Sequence, residues 1–249
     1  MMNITPVVKQ LLIINIIFFI GAQLVPASEH FLALYFPENP SFGFWQPITH
    51  MFMHGGFAHI AFNMFALYSF GSTLEHFWGG KKFLFFYISC GLGAALVNFA
   101  VNYYFYQDAL NILQANGFQK TEILQLINEG KINTRWNELL SVSQLRHLFE
   151  AYSIPVIGAS GAIYGLLVAF TFMFPNAELG IMFIPIPIKA KYFVPIYMLL
   201  FDGFFGIFGS SVMGIESGIA HYAHIGGAFF GFMIMWYWKK NQFNNNRWN

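Results

Sequence analysis

The sequence predicts an all-α, polytopic membrane protein: a six-transmembrane-helix bundle with a polar helical insertion between its third and fourth helices. Three observations predict it. The 249 residues are 57% hydrophobic and 20% aromatic but only 9% charged, against about 25% charged in soluble domains. Mean hydropathy is +0.53, and the length accommodates six runs of the roughly 20 apolar residues that a spanning helix needs. The charge is also uneven: residues 105–153 hold nine of the 23 Asp, Glu, Lys and Arg residues.

Taken in order, Leu11 to Val25 is the first span, with a start as early as Val7, and Pro26 ends it. No clear small-x-small cleavage site follows, so it reads as a span and not as a signal peptide. Residues 27–49 form a loop whose Phe42, Phe44 and Trp45 suit the membrane interface. The second span covers His50 to Phe77, and Gly79-Gly80 turns the chain into a third span over Phe83 to Tyr104. In the polar insertion, helical periodicity runs over Thr121 to Asn128 and Asn137 to Glu150. The fourth span opens at Ser160 and stops before Pro175-Asn176. A proline-broken interfacial loop, IMFIPIPIKAK, follows. The fifth span is Tyr192 to Phe208, then a Gly209–Gly218 loop, and the sixth span is Ile219 to Trp238. The expected division is therefore 1–104 and 154–238 as the membrane domain, 105–153 as an outward-facing insertion, and 239–249 as a polar tail.

With six spans, Lys9, Lys81, Lys82, Lys189, Lys191, Lys239, Lys240 and Arg247 fall on one side of the membrane. The other four basic residues sit in the insertion among five acidic ones. The positive-inside rule then puts both termini in the cytoplasm, and the opening of the fourth span near the outer face, as in a bacterial-type inner membrane. A net charge of +1 points to no acidic partner and no nucleic acid. The single cysteine, Cys90, lies in an apolar run and reads as a small core residue.

Polar groups at membrane depth are costly and mark function. Ser160 sits in GASGAIYG at the mouth of the fourth span, and a serine needs a base to act. His224 and His221 open the sixth span, which enters from the same side, so both are candidate bases. His224 is preferred because it lies deeper and precedes Gly226-Gly227. Gly161 and Gly165 are four apart, as are Gly227 and Gly231, a spacing that lets two helices approach closely. In the second span His59 and Asn63 share one face at i and i+4. Both can donate hydrogen bonds to a developing oxyanion, together with the Ser160 N–H; helix–helix hydrogen bonding is the alternative. Asp202 in the fifth span is the one carboxylate at comparable depth and a candidate orienter of His224. His50 and His54 have ligand-like spacing, but no HExxH and no neighbouring carboxylate accompany them, so no metal and no cofactor are expected. They read as braces of the first loop. His30, His76 and His147 read as structural, and Asn98 and Asn102 as hydrogen-bonding partners between helices.

GASGAIYG, HGGFAHIAFN and AHIGGAFFG together resemble the signature segments of the rhomboid intramembrane serine proteases. The resemblance spans residues 7–104 and 154–238 and rests on three motifs in three spans. It implies a six-helix bundle, open to water from the outer side, that cleaves transmembrane protein substrates near the membrane boundary. It implies Ser160 as nucleophile, His224 as general base in a Ser–His dyad, and His59 and Asn63 as the oxyanion pair. Tyr164 matches the aromatic residue packed on the catalytic histidine, Gly158 the glycine of the nucleophile motif, and Gly227 and Gly231 the close-packing glycines of the last span. His54 is a supporting residue. Trp45-Gln46 stands where the family carries Trp-Arg, which questions any charge-dependent role of that loop.

The expected partners are transmembrane substrates and membrane lipid, with oligomeric state left open. The first loop, the 209–218 loop and the fifth span, with Gly203, Gly206, Gly209 and Gly214, are the candidate gates. The insertion reads as a substrate-recruiting platform or as a simple surface elaboration, and its place on the serine's side favours the first. Two other readings compete: a non-catalytic membrane-protein binder of the same fold, and a histidine-rich metal or proton transporter.

Overall fold

In the computed structural model the described residues are 3–181, 184–200, 202–204 and 220–241. The chain is mostly helical. An N-terminal helix, Pro6–Leu24, begins with proline in its first turn, where a missing N–H costs nothing. Its outward face carries Ile13, Ile16, Ile17 and Ile20, while Val8, Leu11 and Asn15 face the bundle. This helix and Gly80–Ala115 are long and apolar enough to cross a membrane; Ser160–Met173 is a shorter apolar helix.

The region read as a second span from His50 divides in two. His50–Phe52 is a short 3-10 turn, and the helix itself starts at Phe57. It continues through π-helical turns over Leu67–Gly71 into Ser72–Trp78. His50 and His54 therefore lie ahead of the helix, beside Gly55-Gly56, a pair of low helix propensity.

The third helix, Gly80–Ala115, is 36 residues long and runs past residue 105 into the insertion. There it packs against Lys120–Asn128, Trp136–Leu139 and Val142–Ser153. Ser141 caps the last of these with a capping box to Gln144. Together they enclose a second apolar core around Trp136, Tyr106, Tyr152, Leu110, Leu113 and Leu148, which also takes in Phe36 of the first loop. Glu38 joins the two regions. It accepts hydrogen bonds from Tyr106 Oη and Lys120 Nζ, both at 2.8 Å. Burial raises its carboxyl, but these bonds outweigh it and hold the group below the ordinary carboxylate range.

The chain departs from a purely α architecture after the serine helix, Ser160–Met173. Glu178–Ile181 and Ile184–Lys189 pair as an antiparallel hairpin where an interfacial loop is expected. Alternating Ile-Pro in the second strand suits an edge position, since proline has no N–H to donate to a ladder. A helix over Ala190–Tyr197 follows and continues as π-helical turns through 198–200 and 202–204. The expected loop at 209–218 and the tail beyond 241 lie outside the described residues. The last helix is His221–Asn241.

The main core joins the N-terminal helix, the second and long helices, the serine helix and the last helix. It is centred on Leu67, Leu74, Phe83, Phe86, Tyr87, Cys90 and Leu166. At one end Glu75, 4% exposed, clasps the start of the N-terminal helix. Its carboxylate accepts from Thr5 Oγ1 at 2.5 Å, Val7 N at 2.9 Å and Val8 N at 2.8 Å. The two backbone N–H groups are donors a helix start leaves open, and the negative charge favours the helix dipole. The Lys82 ammonium rests 4.1 Å over the Trp238 ring at the same end. Glu75→Ala is expected to lower stability by about 2–3 kcal/mol, with Glu75→Gln retaining part of it, as read by thermal or denaturant unfolding in detergent.

Candidate functional site

The site is built where the serine helix and the last helix cross. At Gly227 an added Cβ would lie 1.8 Å from Gly161 O, and at Gly231 2.7 Å from Gly165 Cα. The two backbones therefore touch, which only glycine allows. From the other side Gly165 receives Cys90, since a Cβ there would sit 2.4 Å from its Sγ. The crossing brings the first turns of both helices together. Ser160 is the first residue of its helix, and its cap, Ala159, offers no side-chain partner. The N–H groups of that turn have no intrahelical acceptor and face the site with the positive end of the dipole.

The Ser160 hydroxyl and His224 Nε2 are 2.8 Å apart. The Tyr164 ring stacks on the His224 ring at 4.2 Å and 14°. This is one turn along the serine helix, so Tyr164 and Ser160 hold the imidazole by its face and its tip. His224 Nδ1 lies 2.8 Å from Asp202 Oδ1, and His221 Nδ1 lies 2.8 Å from the same oxygen. Asp202 is 2% exposed. In the sequence Asp202 is only a candidate orienter, since a lone carboxylate in an apolar run carries no spacing that fixes which group it meets. His221, the rival base, is engaged with Asp202; its ring centroid is 6.3 Å from that of His224.

Asp202, His221 and His224 each offer a ligand atom within 4.8 Å of the others, the one metal-like grouping among the described residues. Both imidazoles spend Nδ1 on one carboxylate oxygen at hydrogen-bond distance, and His224 directs its other nitrogen at Ser160. That is the arrangement of a hydrogen-bonded relay. His50, His54 and His59 do not form such a group.

His59 approaches from the second helix. An added Cβ on Gly158 would lie 2.9 Å from His59 Nε2 and 3.6 Å from Ser160 Oγ, so the imidazole edge sits beside the serine. His59 Nδ1 accepts the Gly55 N–H at 3.4 Å. That leaves the proton on Nε2, the nitrogen facing the serine. Asn63 is buried, and its Nδ2 donates to His59 O at 2.8 Å, which leaves one amide hydrogen for another acceptor. Gly158 has a positive φ of 122°. A side chain there would be strained and would strike His59, so both constraints require glycine.

The segment ahead of the serine is pinned to the first loop. Val156 and Leu34 exchange backbone hydrogen bonds at 2.8 and 3.0 Å, and the Gly158 N–H donates to His50 O at 2.9 Å. His50 in turn donates from Nδ1 to Gln46 O at 2.9 Å. The His54 and His59 rings meet edge-to-face with their centroids 5.0 Å apart. Gln46 is fully buried. Its amide donates to Ser41 O at 2.8 Å and Phe31 O at 3.3 Å and accepts from Tyr35 N at 3.1 Å. A neutral amide does this without the cost of a buried charge. Trp45 stacks on Phe31 at 4.6 Å and donates to Phe31 O.

A cavity of about 10 Å³ touches Ser160, Gly158, Gly161 and His50, room for roughly one water. A larger cavity of about 240 Å³ lies between the first loop and the long helix. Asn98 and Asn102 line it, and neither Ser160 nor His224 does. His30 bonds Tyr35 and Ser41 within the first loop, His147 stacks on Phe105, and His76 meets Phe77. Of the glycines read as hinges, Gly203 is described; Gly206, Gly209 and Gly214 lie outside the described residues.

The Rhomboid domain family model matches residues 41–118 and 137–241. "Rhomboid protease GluP" of Bacillus subtilis (strain 168) is 35% identical over 60 residues, 24% of this chain and 12% of that protein. "Rhomboid protein 1, mitochondrial" of Saccharomyces cerevisiae is 24% identical over 196 residues, covering 76% of this chain and 40% of that protein. "Rhomboid protease AarA" of Providencia stuartii is 27% identical over 193 residues, covering 76% and 54%. The chain thus spans 12% to 54% of the length of these relatives.

The helix crossing gives a direct test. Gly227→Ala is expected to destabilise by about 1–3 kcal/mol through overpacking. Gly203→Ala, whose methyl would meet only Met198 O, at 3.9 Å, among the described residues, should stay within about 0.5 kcal/mol of wild type. Unfolding of both variants in one detergent decides it.

Proposed function

The chain belongs to the rhomboid family, and on that premise we propose that it is an intramembrane serine endopeptidase. It cleaves transmembrane protein substrates near the outer boundary of the membrane, with Ser160 as nucleophile and His224 as general base. The observation that carries the reading is the 2.8 Å contact between Ser160 Oγ and His224 Nε2.

The chemistry follows from the residues. Neutral His224 accepts the Ser160 proton as Oγ attacks the scissile carbonyl. The oxyanion develops beside the Ser160 N–H, His59 Nε2–H and the free Asn63 amide hydrogen. Protonated His224 then gives its proton to the leaving amine. Water, deprotonated by the same imidazole, releases the acyl group from Ser160. Tyr164 keeps the ring in register through its stacking contact.

In this reading six helical segments cross the bilayer: Pro6–Leu24, 57–78, the first part of Gly80–Ala115, Ser160–Met173, Ala190–Tyr197 with its continuation over 198–200 and 202–204, and His221–Asn241. Both termini face the cytoplasm of a bacterial-type inner membrane, a placement supported by the positive-inside rule. Supporting it further, Lys82 lies with Trp238 and Glu75 with the start of the N-terminal helix, at the end of the bundle away from Ser160. The insertion at 105–153 shares the serine's side and offers substrates a docking platform.

Wild-type protein is expected to react with a serine-directed fluorophosphonate, and both Ser160→Ala and His224→Ala to lose that labelling. If Ser160→Ala left cleavage of a reporter transmembrane substrate unchanged, the reading would be abandoned. His59→Ala and Asn63→Ala are each expected to lower kcat about 100- to 1000-fold, with a smaller effect on KM, as measured with the same reporter.

A further inference from the structure

We propose that Asp202 is a third member of this site, a positioning residue that holds His224 in the tautomer a general base requires. The inference rests on the protease reading above and deepens it: the family resemblance implies a dyad, while the geometry here is that of a triad.

Four observations carry it. Asp202 is 2% exposed and comes from a different helix than Ser160 or His224. Its Oδ1 lies 2.8 Å from His224 Nδ1, on the side of the ring opposite the nitrogen that meets Ser160. His221, one turn before His224, places its own Nδ1 2.8 Å from the same oxygen. The Tyr164 hydroxyl also interacts with the Asp202 carboxylate, so this tyrosine and the two imidazoles together orient it.

An ionised carboxylate only accepts hydrogen bonds. Both imidazoles must therefore present Nδ1–H to Oδ1. For His224 this leaves the lone pair on Nε2, aimed at the Ser160 hydroxyl. Tyr164 fixes the plane of the ring but has no means of choosing between its tautomers, because stacking reads the face and not the nitrogens. Asp202 makes that choice. His221 has a matching role: it steadies the carboxylate and does not compete as base.

The proton count is complete without any proton on Asp202. As the Oγ–C bond forms, the Ser160 proton moves to His224 Nε2, and the imidazolium faces Oδ1 across 2.8 Å, where burial strengthens the attraction. As the C–N bond breaks, the same proton leaves on the amine. Asp202 remains a carboxylate throughout, as the acidic member of hydrolase triads does.

The test compares wild type with Asp202→Asn, Asp202→Ala and Asp202→Glu on a reporter transmembrane substrate. It also reads the tautomer of His224 by ¹⁵N NMR of histidine-labelled protein. Asp202→Asn is expected to lower kcat about 100- to 10,000-fold while KM changes by less than about threefold, and Asp202→Glu to recover part of the rate. Wild-type His224 is expected to carry its proton on Nδ1. Asp202→Asn and Asp202→Ala keeping kcat within about threefold of wild type would overturn the proposal. So would a wild-type His224 protonated on Nε2, a readout that needs no activity and no variant. A Ser160→Ala control separates the two readings. If it still cleaves, the protease reading fails; if it is inactive while Asp202→Asn is not, only the role of Asp202 fails.

Discussion

The structure depends on one backbone contact, the crossing of the serine helix over the last helix at Gly161, Gly165, Gly227 and Gly231. Lipid tails are as apolar as side chains, so helices in a membrane gain little by merely burying hydrocarbon. Close van der Waals packing and hydrogen bonds hold them instead. Here four glycines let peptide planes meet directly. A hydroxyl and an imidazole are short reaches, and a helix separation set by ordinary side chains would leave Ser160 and His224 out of contact. Cys90 fills the groove left beside Gly165, which accounts for a small, buried, unpaired thiol at that position.

Around this crossing, polar groups are placed so that nearly every one has a task. His50 links the first loop to Gly158, and Gly158 leaves the space that His59 enters. Gln46 satisfies three backbone groups of the first loop from a fully buried position. An arginine at this point would bring a charge into a fully buried position, which is costly without a counter-charge. The departure from the Trp-Arg pair is therefore a change in how the loop is tied. Asp202 completes the pattern by joining both histidines of the last helix to the preceding segment.

Much of this was legible beforehand. The apolar runs, the serine among glycines, the i, i+4 pair of His59 and Asn63, and the paired glycines all follow local rules of helix geometry, and the structure brings these residues to one place. Where local rules compete, the reading fell short. His50 and His54 carry a helical spacing, yet the short turn that holds His50 ends at Phe52, Gly55 and Gly56 disfavour helix, and the helix starts at Phe57. IMFIPIPIKAK has a proline pattern consistent with a loop or with an edge strand, and pairing with Glu178–Ile181 selects the strand. The long helix passes residue 105 without a break because the apolar residues Tyr106, Ala109, Leu110 and Leu113 continue its stripe into a second core.

By itself, the sequence determined the membrane class, the helical periodicity, the chemistry at hand and the small residues that let helices touch. These depend on residue type and on spacing along one element. Only the tertiary structure decided which groups meet across elements: that His224 and not His221 faces Ser160, that His59 presents Nε2 at Gly158, and that Asp202 reaches both histidines. Those choices turn on rotation and depth of separate helices about their own axes. No spacing within a single helix encodes them, and a crossing held by backbone contact does.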